Sequence, residues 1–343
     1  MPRRCELVIV GGGIAGTTLA WTLRERGVDF LLVDDRPQVS SSRIAAGLVT
    51  PITGPRLAVA WRWDEFWPVA TAFYEGVAAR IGEPVFHRRR MVRLFANEAE
   101  VDLFRERRLV DAGHLVAALD PSLGAPYRTP ELGGFEMPVA GQLDVPTYLD
   151  RSWEVFTAEG CAVAARIDPA GLVATAQGVL VPELEVVAGK VVFAEGYTGV
   201  VNPWFPEVPY RPAKGEILTV RIPGLVDSRV VHGAVWLAPL GEERALCGST
   251  YEWKELDQRA TDVGRASILE RLERLVEGRV EVLDQRAAVR PALRQFHPVV
   301  ERSAREGRLF VLNGLGSKGS LQAPWCARQL VGHLLEGGAL GMQ

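Results

Sequence analysis

Two kinds of apolar pattern alternate along this chain: short continuous runs that stop at glycine or aspartate, and stretches in which apolar residues recur every three or four positions. CELVIV (5–10) stops at Gly11-Gly12-Gly13, and FLLVDD (30–35) stops at Asp34 and Asp35. Between them Ile14, Leu19 and Leu23 keep helical spacing up to Gly27. A continuous apolar run fits a strand covered on both faces. A glycine just past the last periodic position is a helix stop. The first 35 residues therefore predict a β-α-β unit. GKVVFAEG (189–196) and RLFVLNG (308–314) predict further strands of the same buried kind. A helix is predicted over 144–158, and another at the end of the chain, where Trp325, Leu330 and Leu334 are helically spaced.

Elsewhere the pattern changes. PITGPRLAVAWRWDEFWP (51–68) is rich in proline and tryptophan, with a helix predicted from about 65 to 81. FHRRRMVRLFA (86–96) alternates as a single strand would, and NEAEVDLFRERRLV (97–110) reads as an amphipathic helix capped by Asn97. After Pro203 come GEILTVRI, VVHGAVWLAPL and ERALCGST, each read as one strand, then a helix over about 262–277. Nucleotide-type elements thus stand at the start, middle and end, with other material between them. The fold class expected is α/β at the Rossmann-like unit and α+β overall. A discontinuous cofactor domain (1–50, 144–204 and 300–343) is interleaved with a substrate domain (51–143 and 205–299) built on a mainly antiparallel sheet.

The 343 residues exceed one compact core of ordinary size. A net charge of −3 does not mark the chain as a nucleic-acid binder. Cys5, Cys161, Cys247 and Cys326 are far apart, form no CxxC pair and suggest neither a zinc site nor a disulfide framework. The apolar run before Gly11 is too short for a signal peptide, and no stretch reaches the ~20 apolar residues of a spanning helix. A cytoplasmic location, with no membrane span, is expected.

Gly11-Gly12-Gly13-Ile14-Ala15-Gly16 fits G-x-G-x-x-G between a strand and a helix. Gly11 permits the turn, Gly13 lets a pyrophosphate approach the backbone, and Gly16 lets helix pack on strand. The amides of Ile14 and Ala15 then open the helix toward the anion. Asp34, with Asp35 beside it, ends the second strand where a ribose hydroxyl would lie. The motif alone does not separate NAD from FAD. A second glycine-rich loop, NGLGSKGS (313–320), opens the closing helix.

Three further stretches bring in a resemblance. RIAAGLVTP (43–51), VVFAEGYTG (191–199) and VRPALRQFHPVVE (289–301) occur in the order found in D-amino-acid oxidases and glycine oxidases, and the chain resembles that superfamily over nearly its whole length. GLGSKGSLQAPW (314–325) is similar to the oxidase half of the bifunctional enzymes that modify wobble uridine in tRNA, with no methyltransferase half expected here. The resemblance implies non-covalently bound FAD, contacted by Ser42, Arg43, Ala45, Ala46, Gly47 and Leu48, by Ile167, and by Glu195 and Gly196. The second loop, Gly314, Gly316, Ser317, Lys318, Gly319 and Ser320, would face the flavin edge that becomes anionic on reduction. Lys318 would add an ammonium there; a solvated loop lysine is the plainer alternative.

The resemblance also implies that Arg290, in an Arg-Pro pair, binds a substrate carboxylate. Arg294 is a weaker candidate for this, or Arg290 forms a structural ion pair. Trp236 stands where the family carries a tyrosine, which favours a bulkier or N-substituted amino acid. His297 and His232 could touch substrate or be structural. No general base and no metal are expected. The activity implied is oxidation of the C–N bond of an amino acid or N-substituted glycine, with electrons passing to FAD and then to oxygen or another acceptor. The alternatives are a flavin oxidase acting on a carboxymethylaminomethyl uridine of tRNA, and a flavoprotein with a non-amine substrate. His87-Arg88-Arg89-Arg90 with Arg93 is the stretch that would bind RNA, or simply the solvated face of a strand; nucleic acid is not the expected partner.

Overall fold

The computed structural model describes residues 3–54, 56–107, 113–119, 122–295, 297–337 and 340. Arg3–Val10 (β1), the helix Ile14–Glu25 (α1) and Phe30–Asp34 (β2) form the expected β-α-β unit, with β1 and β2 parallel. β1 also runs parallel to Val186–Phe193, and that strand runs parallel to Leu309–Asn313. These four strands are the heart of an eight-stranded sheet. Ala162–Ala164 extends it beyond β2, and two antiparallel hairpin partners, Gly178–Val181 and Val173–Thr175, extend it on the other side.

The continuous apolar runs have a direct structural cause. Leu7 and Ile9 of β1 enter one core, with Phe30, Leu32, Val192, Phe310 and Leu312. Val8 and Val10 enter another, with Leu31, Val33, Val191, Phe193, Leu309 and Val311. Successive side chains of a strand point to opposite faces, so a sheet covered on both faces favours apolar residues at every position. The first of these cores also takes in α1, the helices Trp63–Ile81 and Val145–Ala158, and the closing helix Gly319–Glu336. Inside it the Trp21 indole is fully buried and donates to Ser152 Oγ at 2.7 Å.

The second sheet also has eight strands. From one edge they are Glu281–Arg290, Ala213–Arg221, Arg244–Gly248, Trp236–Gly241, Val230–His232, Met91–Leu94, Gly134–Met137 and Ala118–Leu119. Its pairs are antiparallel except Val230–His232 with Met91–Leu94. Strands of the first sheet come from segments 3–34, 162–193 and 299–313, those of the second from 91–137 and 213–290. We propose that these alternating segments are two interleaved domains, divided near the boundaries read from the sequence.

Several expectations change. FHRRRMVRLFA is two strands, Phe86–Arg88 and Met91–Leu94, in different sheets. All four residues of the second are buried, because both its faces are covered. VVHGAVWLAPL is a hairpin whose turn sets His232 opposite Trp236. The helix expected over 262–277 is Asp262–Leu272. Glu98–Arg107 is a helix with Asn97 Oδ1 accepting from the Glu100 amide at 2.9 Å. Positions 108–110 of that stretch, Phe296, and the ends of the outermost domain segments lie outside the described residues.

Candidate functional site

A cavity of about 1500 Å³ is lined by both large sheets. It exceeds the roughly 300–1,000 Å³ of an ordinary small-molecule site, so it has room for a long ligand. Both glycine-rich loops open onto it, and Gly319 at the start of the closing helix stands close enough to α1 that a Cβ there would sit 3.0 Å from Ile14.

At the first loop, Gly13 caps α1 without a side-chain hydrogen bond and no acidic residue occupies the first turn. The Ile14 amide donates to Ser42 Oγ at 3.1 Å, which ties segment 40–48 to the helix start. Gly11, Gly13, Ile14 and Ala15 line the cavity; Gly16 lies behind it. A Cβ on Gly16 would overlap the Gly11 carbonyl oxygen, so the glycine is needed for helix and turn to touch. Asp34 accepts from the Gly12 amide at 2.6 Å and the Arg36 amide at 2.7 Å and lines the cavity, with the more exposed Asp35 beside it. Burial pushes the Asp34 carboxyl up from its usual range, against the pull of those two amides.

The second loop is built alike. Gly316, Ser317, Lys318, Gly319 and Ser320 line the cavity, while Gly314 turns behind them at φ 76° against Leu293. The closing helix has no side-chain cap and no acidic residue in its first turn. Lys318 Nζ donates to Thr53 Oγ1 at 3.0 Å. Burial lowers its pKa from the usual lysine value. Its charge thus sits among neutral groups.

Between the loops, Arg43, Ala45, Ala46, Gly47, Leu48, Ile167, Glu195 and Gly196 line the wall. The Arg43 guanidinium is committed elsewhere, to Asp150 at 2.7 Å, a carboxylate it shares with Arg36. Glu195 accepts from Asn202 Nδ2 at 2.6 Å, and burial raises its pKa to about 7. A raised carboxyl pKa means that the folded chain holds the proton more tightly than the unfolded one. The stability this gives is fully present below the ordinary carboxyl range and is lost as pH rises through about 7. In the cofactor-stripped protein, the wild type should therefore lose melting temperature relative to Glu195→Gln between pH 5 and pH 8. A difference that stays constant across that range would show that Glu195 does not titrate there.

On the opposite wall, the Arg290 guanidinium donates to Ser249 Oγ at 2.9 Å and to the Thr250 carbonyl at 3.3 Å, and lies 4.4 Å from the centroid of the Tyr251 ring. Burial pulls its pKa below the usual arginine value, and no carboxylate pairs with it among the described residues. A Cβ on Gly215, in the adjoining strand, would overlap this guanidinium. Trp236 is accommodated in the same way, since a Cβ on its cross-strand neighbour Gly248 would lie 2.6 Å from the indole. Arg290 and Trp236 are thus brought together over places where a side chain is missing.

His232 also lines the cavity. Its Nδ1 lies 2.8 Å from Arg93 Nη1, and Arg93 in turn pairs with Glu100 at 2.9 Å in the interior. Because arginine only donates, Nδ1 is the acceptor and the ring proton is on Nε2. Burial, helped by the Arg93 charge, lowers the His232 pKa to about 3, so the ring stays neutral. Sequence reasoning placed His232 beside Trp236 but gave no sign of its Arg93–Glu100 support.

Two expected substrate contacts do not reach the cavity. Beyond Pro291 the chain turns away to pair with the 209–210 segment: Arg294 is exposed, its amide donating to the Pro209 carbonyl. His297 packs on Trp61 at 4.1 Å between ring centroids. Neither lines the cavity. The basic stretch is largely neutralised: Arg88 pairs with Glu75, Arg90 with Glu136 and Arg93 with Glu100. The tryptophans at 61–67 are packing residues, with Trp63 on Trp67 at 5.0 Å and Trp325 of the closing helix against Phe66 at 5.2 Å. Among the described residues no group of three His, Cys, Asp or Glu could hold a metal, and no helix is long and apolar enough to cross a membrane.

Residues 6–332 match the family described as FAD dependent oxidoreductase. The chain belongs to that family. It is 28% identical over 356 residues to the tRNA 5-methylaminomethyl-2-thiouridine biosynthesis bifunctional protein MnmC of Caulobacter vibrioides, a match covering 96% of this chain and 54% of that protein. The chain spans about half the length of the first curated relatives it matches. Among solved structures, glycine oxidase from Geobacillus kaustophilus superposes with a TM-score of 0.84 at 19% identity, covering 99% of this chain and 97% of that one. Iminodiacetate oxidase from Chelativorans sp. gives 0.80 at 20% identity, covering 98% and 97%. These two likenesses concern the fold.

The residues present fit the family's cofactor. Two helix N-termini whose cap residues make no side-chain capping hydrogen bond, both free of first-turn acids, face one cavity, and glycines let the chain close around its floor. A dinucleotide with a pyrophosphate at one end and a ring that gains negative charge at the other has use for both. When bound, FAD supplies the electron-accepting chemistry.

Proposed function

We propose that this FAD-dependent oxidoreductase oxidises the C–N bond of an amino acid or N-substituted glycine to an imine. The observation that carries this reading is Arg290: a half-buried guanidinium in the cavity wall, with no carboxylate paired to it among the described residues. Its fork suits a substrate carboxylate bidentately. Trp236, beside it, bounds the space into which an N-substituent extends. His232, neutral and protonated on Nε2, supplies a donor without adding charge. With the carboxylate fixed, the substrate's Cα–H can be held in one orientation. The carbon gives up a hydride and the nitrogen a proton, and water then splits the imine into an amine and a carbonyl compound. The electrons leave to oxygen or another acceptor. No side chain is assigned as general base, since the amine enters neutral.

Ser42, Asp34 and the first loop would hold the pyrophosphate and ribose end, and Lys318 would place positive charge by the ring end. Replacing that charge with an apolar chain in Lys318→Met should lower the reduction potential of the bound flavin by ~30–60 mV, equivalent to ~1.4–2.8 kcal/mol for a two-electron couple. A dye-coupled potentiometric titration measures this, and an unchanged potential removes Lys318 from the role.

The test of the function is anaerobic bleaching of the flavin by D- and L-amino acids, glycine, sarcosine, larger N-substituted glycines and carboxymethylaminomethyluridine. Fast bleaching by one class is the expected result; none by any, in a yellow protein, sinks the proposal. A second reading, action on a tRNA nucleotide, is favoured by the match to a tRNA-modifying relative over 96% of this chain. The pairing of Arg88, Arg90 and Arg93 with carboxylates weighs against the basic stretch as its RNA contact. Retention of tRNA at low salt decides that reading.

A further inference from the structure

From the cavity wall outward the chain displays two aromatic rings to solvent, Tyr251 in the lining and Trp253 beyond it. Tyr251 and Trp253 are each 54% exposed and stack on one another, with ring centroids 6.1 Å apart and planes 26° apart. Single exposed apolar residues need no explanation, but two aligned aromatic rings at a cavity mouth do. Tyr251 lines the cavity and lies against the Arg290 guanidinium, so the stack runs from the carboxylate site outward.

The rings are held in place. Residue 252 is locked to the second sheet by two backbone hydrogen bonds with Lys214, at 2.8 and 3.0 Å. Glu252 Oε1 accepts from the Trp253 amide at 2.7 Å and from the Lys254 amide at 2.6 Å. Lys214, only 2% exposed, spends its charge on Asp257 at 2.5 Å, further along the loop. Farther still, Thr261 bonds to the buried Glu216 through both its amide and its hydroxyl. A surface loop fixed at this many points presents its rings in one arrangement, which lowers the cost of binding a flat partner.

We infer that Tyr251 and Trp253 form a stacking platform for a planar ring carried on the substrate's nitrogen, so that the enzyme selects ring-bearing N-substituted glycines over small ones. This rests on the proposed amine oxidation, since it is the carboxylate at Arg290 that brings the ring to the platform. Stacking rewards flatness and not merely apolar bulk. A benzyl substituent should therefore bind better than a saturated ring of similar size.

The experiment uses the FAD-loaded enzyme and thioether acids that cannot be oxidised at a C–N bond: (methylthio)acetate, (benzylthio)acetate and (cyclohexylmethylthio)acetate. Kd is read from the shift in flavin absorbance. In wild type the benzyl ligand should bind about fivefold to tenfold tighter than the cyclohexylmethyl one. Trp253→Leu should abolish that preference, leave the methyl ligand's Kd unchanged, and be rescued by Trp253→Phe. Equal binding of the two ring ligands in wild type, or an equal loss for all three in Trp253→Leu, overturns the platform. If no ligand perturbs the flavin, the underlying reading of a carboxylate-bearing substrate fails, and the platform fails with it.

Discussion

Arg290→Ala should all but abolish reduction of the flavin by substrate while leaving the flavin in place. The guanidinium spends one donor on Ser249 and one on the Thr250 carbonyl and meets no carboxylate among the described residues, so its remaining donors and its charge are available to a ligand. Truncating one partner of a desolvated charge pair costs about 2–5 kcal/mol, which is a fall in kcat/KM of roughly 30-fold to several-thousand-fold. The fall should appear chiefly as weaker substrate binding, with partial recovery in Arg290→Lys, whose point charge lacks the fork. Thermal stability should hold, because a cation without a counter-ion is being removed from a partly buried place. Anaerobic stopped-flow reduction and a melting curve read both effects. An unaltered substrate affinity together with an unaltered kcat/KM would leave the carboxylate site without its central residue.

Gly16→Ala should cost the protein its cofactor. The added methyl would have to occupy the position of the Gly11 carbonyl oxygen, and backbone cannot move aside as a side-chain tip can. Helix α1 must then lift from the end of β1, taking the Ile14 amide and its Ser42 partner out of register. Overpacking of this kind costs ~1–3 kcal/mol, a drop of roughly 1–4 °C in Tm for a chain of this size. Cofactor loss should be the larger signal, read as the ratio of flavin to protein absorbance after gel filtration. A variant as yellow as wild type would mean that the turn has slack the structure does not show.

The β-α-β unit and the two glycine loops were legible in the sequence because each follows a local rule. Strands covered on both faces are apolar at nearly every position, and a helix that receives an anion starts in glycine; Arg290 was singled out by resemblance alone, through its Arg-Pro pair. What escaped notice depends on partners distant in the chain. Arg294 and His297 follow Arg290 closely in sequence, but the strand ends at Arg290 and the turn after Pro291 carries them off. Gly215 and Gly248 carry no local signal; cross-strand register alone reveals that they make room for Arg290 and Trp236. The basic stretch left two readings open in the sequence because the carboxylates that pair with it, Glu75, Glu100 and Glu136, come from other elements. Tyr251 and Trp253 drew no attention, since an aromatic residue in a string of letters does not show which way it faces.

The cofactor cradle joins elements about 300 residues apart: β1 and α1 on one side, and the Leu309–Asn313 strand with the Gly319–Glu336 helix on the other. On a ribosome the first anion loop must wait for about 300 further residues before its counterpart appears. A dinucleotide that needs both loops can be held at both ends only once the second has emerged, so the completed cradle closes late, as a clasp does.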